Sequence, residues 1–315
     1  ASPELEQPLV SIVMVSDYLP GSPRALEELR RTLEAFGKQD FSGPVELLLV
    51  ERTDALQTIP KELVDSLSFA RVVPSDGRTA YDLKNSGALE ARGDIVALID
   101  SDCVPHRDWL AHLVRAFREN PETDVVSGRT LYDAEGIMPN IQALLDRSYV
   151  ERRQAAPTQR ISNNNAAYRR GVMQEYPLQN VLGPFGSHLQ SAAILRDGGK
   201  LRFEPGMCVY HAFGGWEMAK SARVSQGFAM VRMRQVDSEA SHPWMATLGF
   251  AAIPATFAMS TIDSWRRSLL YHKHYGVTWY QLPVAFALAV TFHLIEIRGM
   301  VQALRKRDID PGGYR

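Results

Sequence analysis

The feature that most constrains this chain is the stretch at residues 94–105, DIVALIDSDCVP. Five consecutive apolar residues, Ile95 to Ile99, lead into two carboxylates, Asp100 and Asp102. A run with no polar alternation offers no face to water, so it fits a strand covered on both sides, as in a parallel sheet flanked by helices. In open sheets of that kind, ligands bind beyond the carboxyl ends of the strands, where these acids stand.

The surrounding sequence supplies the rest of such a sheet. LVSIVMVS at 9–16 and VELLLVE at 45–51 are further apolar runs, and ARVVPS reads as a shorter strand. Between the first two, Leu26, Leu29, Leu33 and Phe36 recur at helical spacing behind Ser22, a good capping residue. DLKNSGALEARG reads as the helix leading into IVALID, residues 109–117 as the next helix and VVSGRTLY at 125–132 as the next strand. This alternation predicts an α/β fold with a doubly wound, mostly parallel sheet and right-handed crossovers. With 315 residues, 45% hydrophobic and 23% charged, the chain has room for one large domain and an appendage.

A net charge of -1 gives no field to gather nucleic acid, and no such partner is expected. Cys103 and Cys208 lie far apart, forming neither a disulfide framework nor a zinc-binding spacing, which suits a reducing compartment. The start, ASPELEQPLV, lacks the basic segment and apolar core of a signal peptide. The expected location of the α/β domain is therefore the cytoplasmic face of a membrane.

The membrane enters through the last third. Residues 244–262 and 276–295 carry no charge, and each run approaches the ~20 residues of a bilayer-spanning helix. Trp244, Trp265, Tyr271, Tyr275, Trp279 and Tyr280 flank them, as aromatic residues do at headgroup level. Buried helices of a soluble domain would give similar runs; membrane association is the expectation adopted. Pro254 and Pro283 leave kinked or interfacial segments open. Basic residues on both sides leave the orientation open as well. The division expected is 1–240 for the α/β domain and 241–315 for a helical, membrane-associated region.

In an extended chain, side chains alternate with period two, so Asp100 and Asp102 would point to the same side and could share a hard divalent cation. An ordinary strand-end turn of Asp and Ser explains the same three residues.

The longer segment at 77–110, GRTAYDLKNSGALEARGDIVALIDSDCVPHRDWL, resembles the nucleotide-diphosphate-sugar glycosyltransferases of family 2. Those enzymes have a GT-A fold and carry a glycine, an Ala-Arg-Asn-x-Gly helix, an apolar strand and an Asp-x-Asp motif. Here the helix element is Leu83-Lys84-Asn85-Ser86-Gly87, with lysine in place of arginine. VSIVMVS and VELLLVERTD resemble the family's first two strands, and NNNAAYRRGVM at 163–173 its acceptor-side segment. GGKLRFEPGMCVYHAF at 198–213 resembles its late Tyr-His strand, and QGFAMVRMR at 226–234 the helix before C-terminal membrane segments. The likeness runs from about residue 10 to 234.

The resemblance implies roles position by position. Asp102 matches the metal-ligating acid, Asp100 the acid contacting donor ribose and ion, and His211 a histidine completing the metal or diphosphate site. Ser101 lies within the donor-binding motif. Ser16 and Glu51 match positions cradling the nucleobase; Glu51 replaces the usual aspartate. Arg78 and Lys84 are placed to meet the diphosphate, and Asn165 to shape the donor-sugar pocket. Trp216 is a candidate for stacking on an acceptor sugar. The implied cofactor is Mn2+ or Mg2+. The implied partners are a nucleotide-diphosphate sugar, expected to be a UDP-sugar, and a glycan or lipid-linked acceptor.

One departure concerns the catalytic base, which the family supplies from a Glu-Asp motif. The corresponding stretch at 182–199 has no acid before Asp197, leaving His188 as the group able to accept a proton near neutrality. Two expectations follow: a metal-dependent inverting glycosyltransferase with an unusual base, or a non-catalytic relative that binds a sugar nucleotide as a membrane assembly subunit. A dinucleotide-dependent oxidoreductase is disfavoured, because SDYLPGSP after the first strand has no Gly-x-Gly-x-x-Gly turn.

Overall fold

The computed structural model describes residues 9–16 and 22–306. The N-terminal stretch read as leader-free lies mainly outside this range, as does most of the turn after the first strand. The chain opens with β1 (Val10–Val15), α1 (Pro23–Gly37), β2 (Val45–Arg52), α2 (Lys61–Asp65), β3 (Ala70–Ser75), α3 (Ala80–Glu90) and β4 (Ile95–Asp100). These four strands stand in the order β3-β2-β1-β4, all parallel, as the alternation predicts.

The continuous apolar runs have a direct cause. Val10, Ile12 and Met14 of β1 face a core layer with Leu29, Leu33 and Phe36 of α1. Val13 and Val15 face the opposite layer with Tyr81, Leu83 and Ala88 of α3. Both faces of the strand are covered, so both sets of alternate positions are apolar apart from Ser11, whose buried hydroxyl donates to Glu46 at 2.6 Å. Ser22 caps α1 by accepting from the Ala25 amide at 3.2 Å. Thr79 and Asp82 form a reciprocal capping box at the start of α3. Gly87 lets α3 press onto β1, since a Cβ there would stand 2.5 Å from Val13.

Beyond β4 the sheet becomes mixed. β5 (Cys103–Pro105), α4 (Trp109–Glu119), β6 (Val125–Asp133), α5 (Ile137–Arg147), β7 (Ala156–Pro157) and β8 (Asn165–Arg169) follow, then α6 (Arg170–Glu175), α7 (Ser187–Arg196) and β9 (Leu201–Ala212). β8 runs antiparallel between β4 and β6; β9 is parallel to β6 and antiparallel to β5. Most ladder positions in the sheet are parallel.

Three helices close the described chain: α8 (Gly215–Val236), α9 (Ala252–Tyr271) and α10 (Leu282–Leu304). α10 lies against α8 and α5. Glycines permit the close approach: a Cβ on Gly299 would stand 1.8 Å from the Val224 carbonyl, and one on Gly227 1.9 Å from that of Glu296. The charge-free run at 244–262 is not one rod. It starts in a 3-10 segment, Pro243–Ala251, whose Gly249 adopts φ 55, and only then enters α9.

Candidate active site

The strand β4 ends at Asp100, and the chain turns at Ser101 and Asp102 before re-entering the sheet as β5. Period-two alternation stops at that turn, so the two acids do not share a strand face as the sequence suggested; each has its own partner. Asp100 meets Lys84 of α3 at 2.5 Å, with both side chains almost wholly buried. Lys84 Nζ also donates to the Asn163 carbonyl at 3.1 Å. The sequence assigned Lys84 to the diphosphate, but its side chain is 2% exposed and its ammonium is paired with Asp100. It holds one motif acid in place and brings β8's approach loop against α3.

Asp102 meets the last strand. Cys103 stands opposite His211 in the β5–β9 ladder, and the Ala212 amide donates to the Asp102 carbonyl at 2.9 Å. Imidazole Nδ1 of His211 lies 2.7 Å from the Ala212 carbonyl oxygen, which can only accept, so Nδ1 carries a proton. In the neutral ring that leaves Nε2 as a lone pair, and it faces Asp102 Oδ2 at 3.4 Å. Two lone-pair carriers facing each other in a buried site call for a cation or proton between them.

The Cys103 thiol is adjacent, donating to Asp102 Oδ1 at 3.5 Å. Ligand atoms of Asp102, Cys103 and His211 all lie within 4.8 Å of one another. The Ser101 hydroxyl beside them is buried without a hydrogen-bond partner. A carboxylate, an imidazole lone pair and an orphaned hydroxyl fit a divalent cation and its ligands, with the nitrogen favouring manganese over magnesium.

A cleft opens here, lined by Asp100 and His211, by Asn163 and Asn164, and by a wall of residues from α5, α8 and the segment before α7. On that wall stands Asp146, which no sequence pattern singled out. It accepts from the Tyr132 hydroxyl at 2.8 Å and from the Arg223 guanidinium, whose other arm reaches buried Glu296 of α10 at 3.1 Å. The available signal was Arg223 itself, a charged residue on the buried side of α8.

His188 lies at the start of α7 between Tyr149 and Phe185, with ring centroids 5.7 and 5.8 Å away. Burial, assisted by the charge of Arg160, lowers its pKa from 6.5 to about 3. The ring retains some surface exposure, which moderates the size of this effect but not its direction. A ring so reluctant to be protonated is a weak general base.

The other expected residues divide. Arg78 is exposed just before α3, Ser16 is half-buried at the tip of β1, and Glu51 is buried at the end of β2, accepting from the Arg52 amide at 2.8 Å. Asn165, expected at the donor sugar, is fully buried instead. Its carbonyl accepts from Trp109 Nε1, and its amide donates to the Arg129 and Met207 carbonyls. Those bonds tie α4, β6 and β9 together, and its neighbours Asn163 and Asn164 line the cleft. Trp216, expected to stack on an acceptor sugar, is half-exposed at the start of α8 and lies against Phe292 of α10, 6.1 Å between centroids.

Residues 24–176 match the family model described as Glycosyl transferase family 2. Glycosyltransferase AglE of Haloferax volcanii is 26% identical over 171 residues, 52% of this chain and 54% of that protein. The chain thus spans about half the length of that curated relative. Among solved structures, the mannosyltransferase PcManGT from Pyrobaculum calidifontis, in complex with GDP-Man and Mn2+, superposes with a TM-score of 0.61. That match has 16% identity and covers 96% of this chain and 89% of the other; at this identity it speaks for the fold. The matched segment, which contains the motif acids, Lys84 and the asparagine segment, is a glycosyl transferase family 2 domain.

Proposed function

We propose that this protein transfers a sugar from a nucleoside-diphosphate donor to a hydroxyl of a glycan or lipid-linked acceptor, with inversion at the anomeric carbon. The observation that carries the reading is the buried pair of Asp102 and His211, whose Oδ2 and Nε2 face each other at 3.4 Å at the tip of the sheet, where a cation could sit. Asp102 and His211 hold the ion, with Cys103 beside them; Mn2+ is the first candidate and Mg2+ the second. Such an ion supplies neutralisation of the departing diphosphate.

The chain's own groups do the rest. Lys84 fixes Asp100 toward the donor ribose, Arg78 on its exposed loop meets phosphate oxygens, and Ser16 and Glu51 stand where the base enters. The uridine expected from the sequence is set beside guanosine, the base in the complex of the similar mannosyltransferase. Asp146, rather than desolvated His188, takes the acceptor proton. It is a carboxylate that lines the same cleft as Asp100 and His211, and Tyr132 and Arg223 orient it. Residues 241–315 attach the domain to a membrane, with the cleft on the cytoplasmic side.

The test is nucleoside diphosphate release from a panel of UDP- and GDP-sugars with manganese and a lipid-linked acceptor. Turnover that falls at least about a hundredfold in Asp102→Asn and in His211→Ala supports the enzyme. Tight donor binding without turnover, for every donor and acceptor, would favour the non-catalytic relative.

A further inference from the structure

Of the two C-terminal helices, α9 is built inside out. The side of α9 turned to the protein is small and polar, with Thr256, Thr261, Ser264 and Ser268 buried. Its outward side presents Met259, Ile262, Trp265, Leu269 and Leu270. α10 is mixed: it buries His293, Glu296 and Gly299 alongside Phe292 and Met300, and it exposes Val284 and Leu294. A surface helix in water orients the other way, with its apolar stripe inward. Small and hydrogen-bonding residues inside with large apolar residues outside is the arrangement of helices that meet lipid.

Both C-terminal segments, Pro243–Tyr275 and Trp279–Leu304, are long and apolar enough to cross a bilayer by length and composition, but their charges and packing argue against a crossing. Gly249 breaks the first run, and α9 meets exposed Asp263 and Arg266 after residue 262. Residues 252–262 are about 16 Å long at ~1.5 Å per residue, against ~30 Å of hydrocarbon. α10 is held sideways along the protein. Ala285 and Ala289 share a cluster with Ala219 of α8, and Met300 and Ala303 share another with Phe228 and Val231. The two helices thus run side by side, and outside its buried side α8 carries Glu217, Lys220, Arg232 and Arg234. No bilayer-deep position for α10 leaves those charges in water.

We propose that α9 and α10 form an interfacial dock that sinks its outer face into one leaflet of an anionic bilayer without crossing it. This rests on the membrane reading above and refines it. Charge supports lipid as the occupant: between residues 241 and 306, Arg266, Lys273, Arg298, Arg305 and Lys306 are exposed, against the single exposed acid Asp263. Trp265, Trp279 and Tyr280 lie exposed among them, as at a headgroup boundary. A second copy of the chain would set those cations against themselves.

The experiment uses the full chain in membrane vesicles of either orientation and a membrane-impermeant maleimide. Lys273→Cys reports the turn between α9 and α10, and Glu62→Cys on α2 reports the α/β domain; both positions are exposed. Labelling of both from the same side is the expected result. Labelling from opposite sides overturns the dock and leaves membrane attachment standing, whereas protein found wholly in the soluble fraction overturns both.

A second measurement avoids cysteine chemistry. Ile262→Asp combined with Leu269→Asp, both on the exposed face, should lower affinity for phosphatidylglycerol-containing vesicles at least about tenfold, with nucleotide-sugar binding unchanged. Unchanged vesicle affinity, or a discrete dimer that ignores vesicles, would overturn the proposal.

Discussion

Replacing Lys84 with methionine removes a cation and keeps most of the volume of its stem. The wild-type pair, Lys84 Nζ to Asp100 Oδ1, spans 2.5 Å with the side chains 2% and 6% exposed. Deleting one member of such a pair strands the other charge away from water, at a cost of about 3–5 kcal/mol. For a domain of this size that corresponds to a fall in Tm of roughly 6–15 °C. Neutralising both partners, in Lys84→Met with Asp100→Asn, should recover most of the loss, because no bare charge is left behind. Calorimetry on the wild type, both single variants and the double variant gives the coupling directly. A Lys84→Met protein that melts with the wild type yet binds sugar nucleotide tenfold more weakly would refute the reasoning. The ammonium would then act on the donor, not on Asp100.

Asp146→Asn should lower kcat by about a hundredfold while the donor dissociation constant changes little, read by single-turnover transfer and nucleotide titration. His188→Phe should leave transfer largely intact and change acid stability. Between pH 6.5 and about 3 the unfolded ring binds a proton that the folded ring refuses, so wild-type stability falls as pH drops through that window. The phenylalanine variant should fall less steeply in urea titrations across the same range. Gly299→Ala puts a methyl group 1.8 Å from the Val224 carbonyl and should destabilise by about 1–3 kcal/mol, seen as a lower Tm with reduced vesicle binding.

The parallel half of the sheet was legible because covering both faces of a strand leaves a plain mark, an unbroken run such as IVALI or ELLLV. α1 was legible from its stripe and from Ser22. The mixed half was harder: β8 and β5 are short, and their pairing depends on contacts dozens of residues away. Asp100 and Asp102 stood out as a motif, but strand periodicity misplaced them relative to each other, since β4 ends at Asp100 in a turn that no periodicity records. The likeness to a family pointed to Asn165, whose amide the packing of Trp109 consumes. Asp146 was silent: an acid on a helix looks solvated until Tyr132 and Arg223 arrive from other elements. The inside-out character of α9 was equally hidden, because mean hydropathy counts apolar residues without saying which way they face.

β9 has a consequence for synthesis on the ribosome. The motif aspartates are translated about a hundred residues before His211, and the ladder that holds Cys103 opposite that histidine forms only when the last strand docks. An emerging chain therefore acquires its parallel strands and their acids early, but no imidazole to set against them. Until His211 clears the exit tunnel the pair it forms with Asp102 does not exist, so under the proposed function a cation would be taken up only after completion of the sheet.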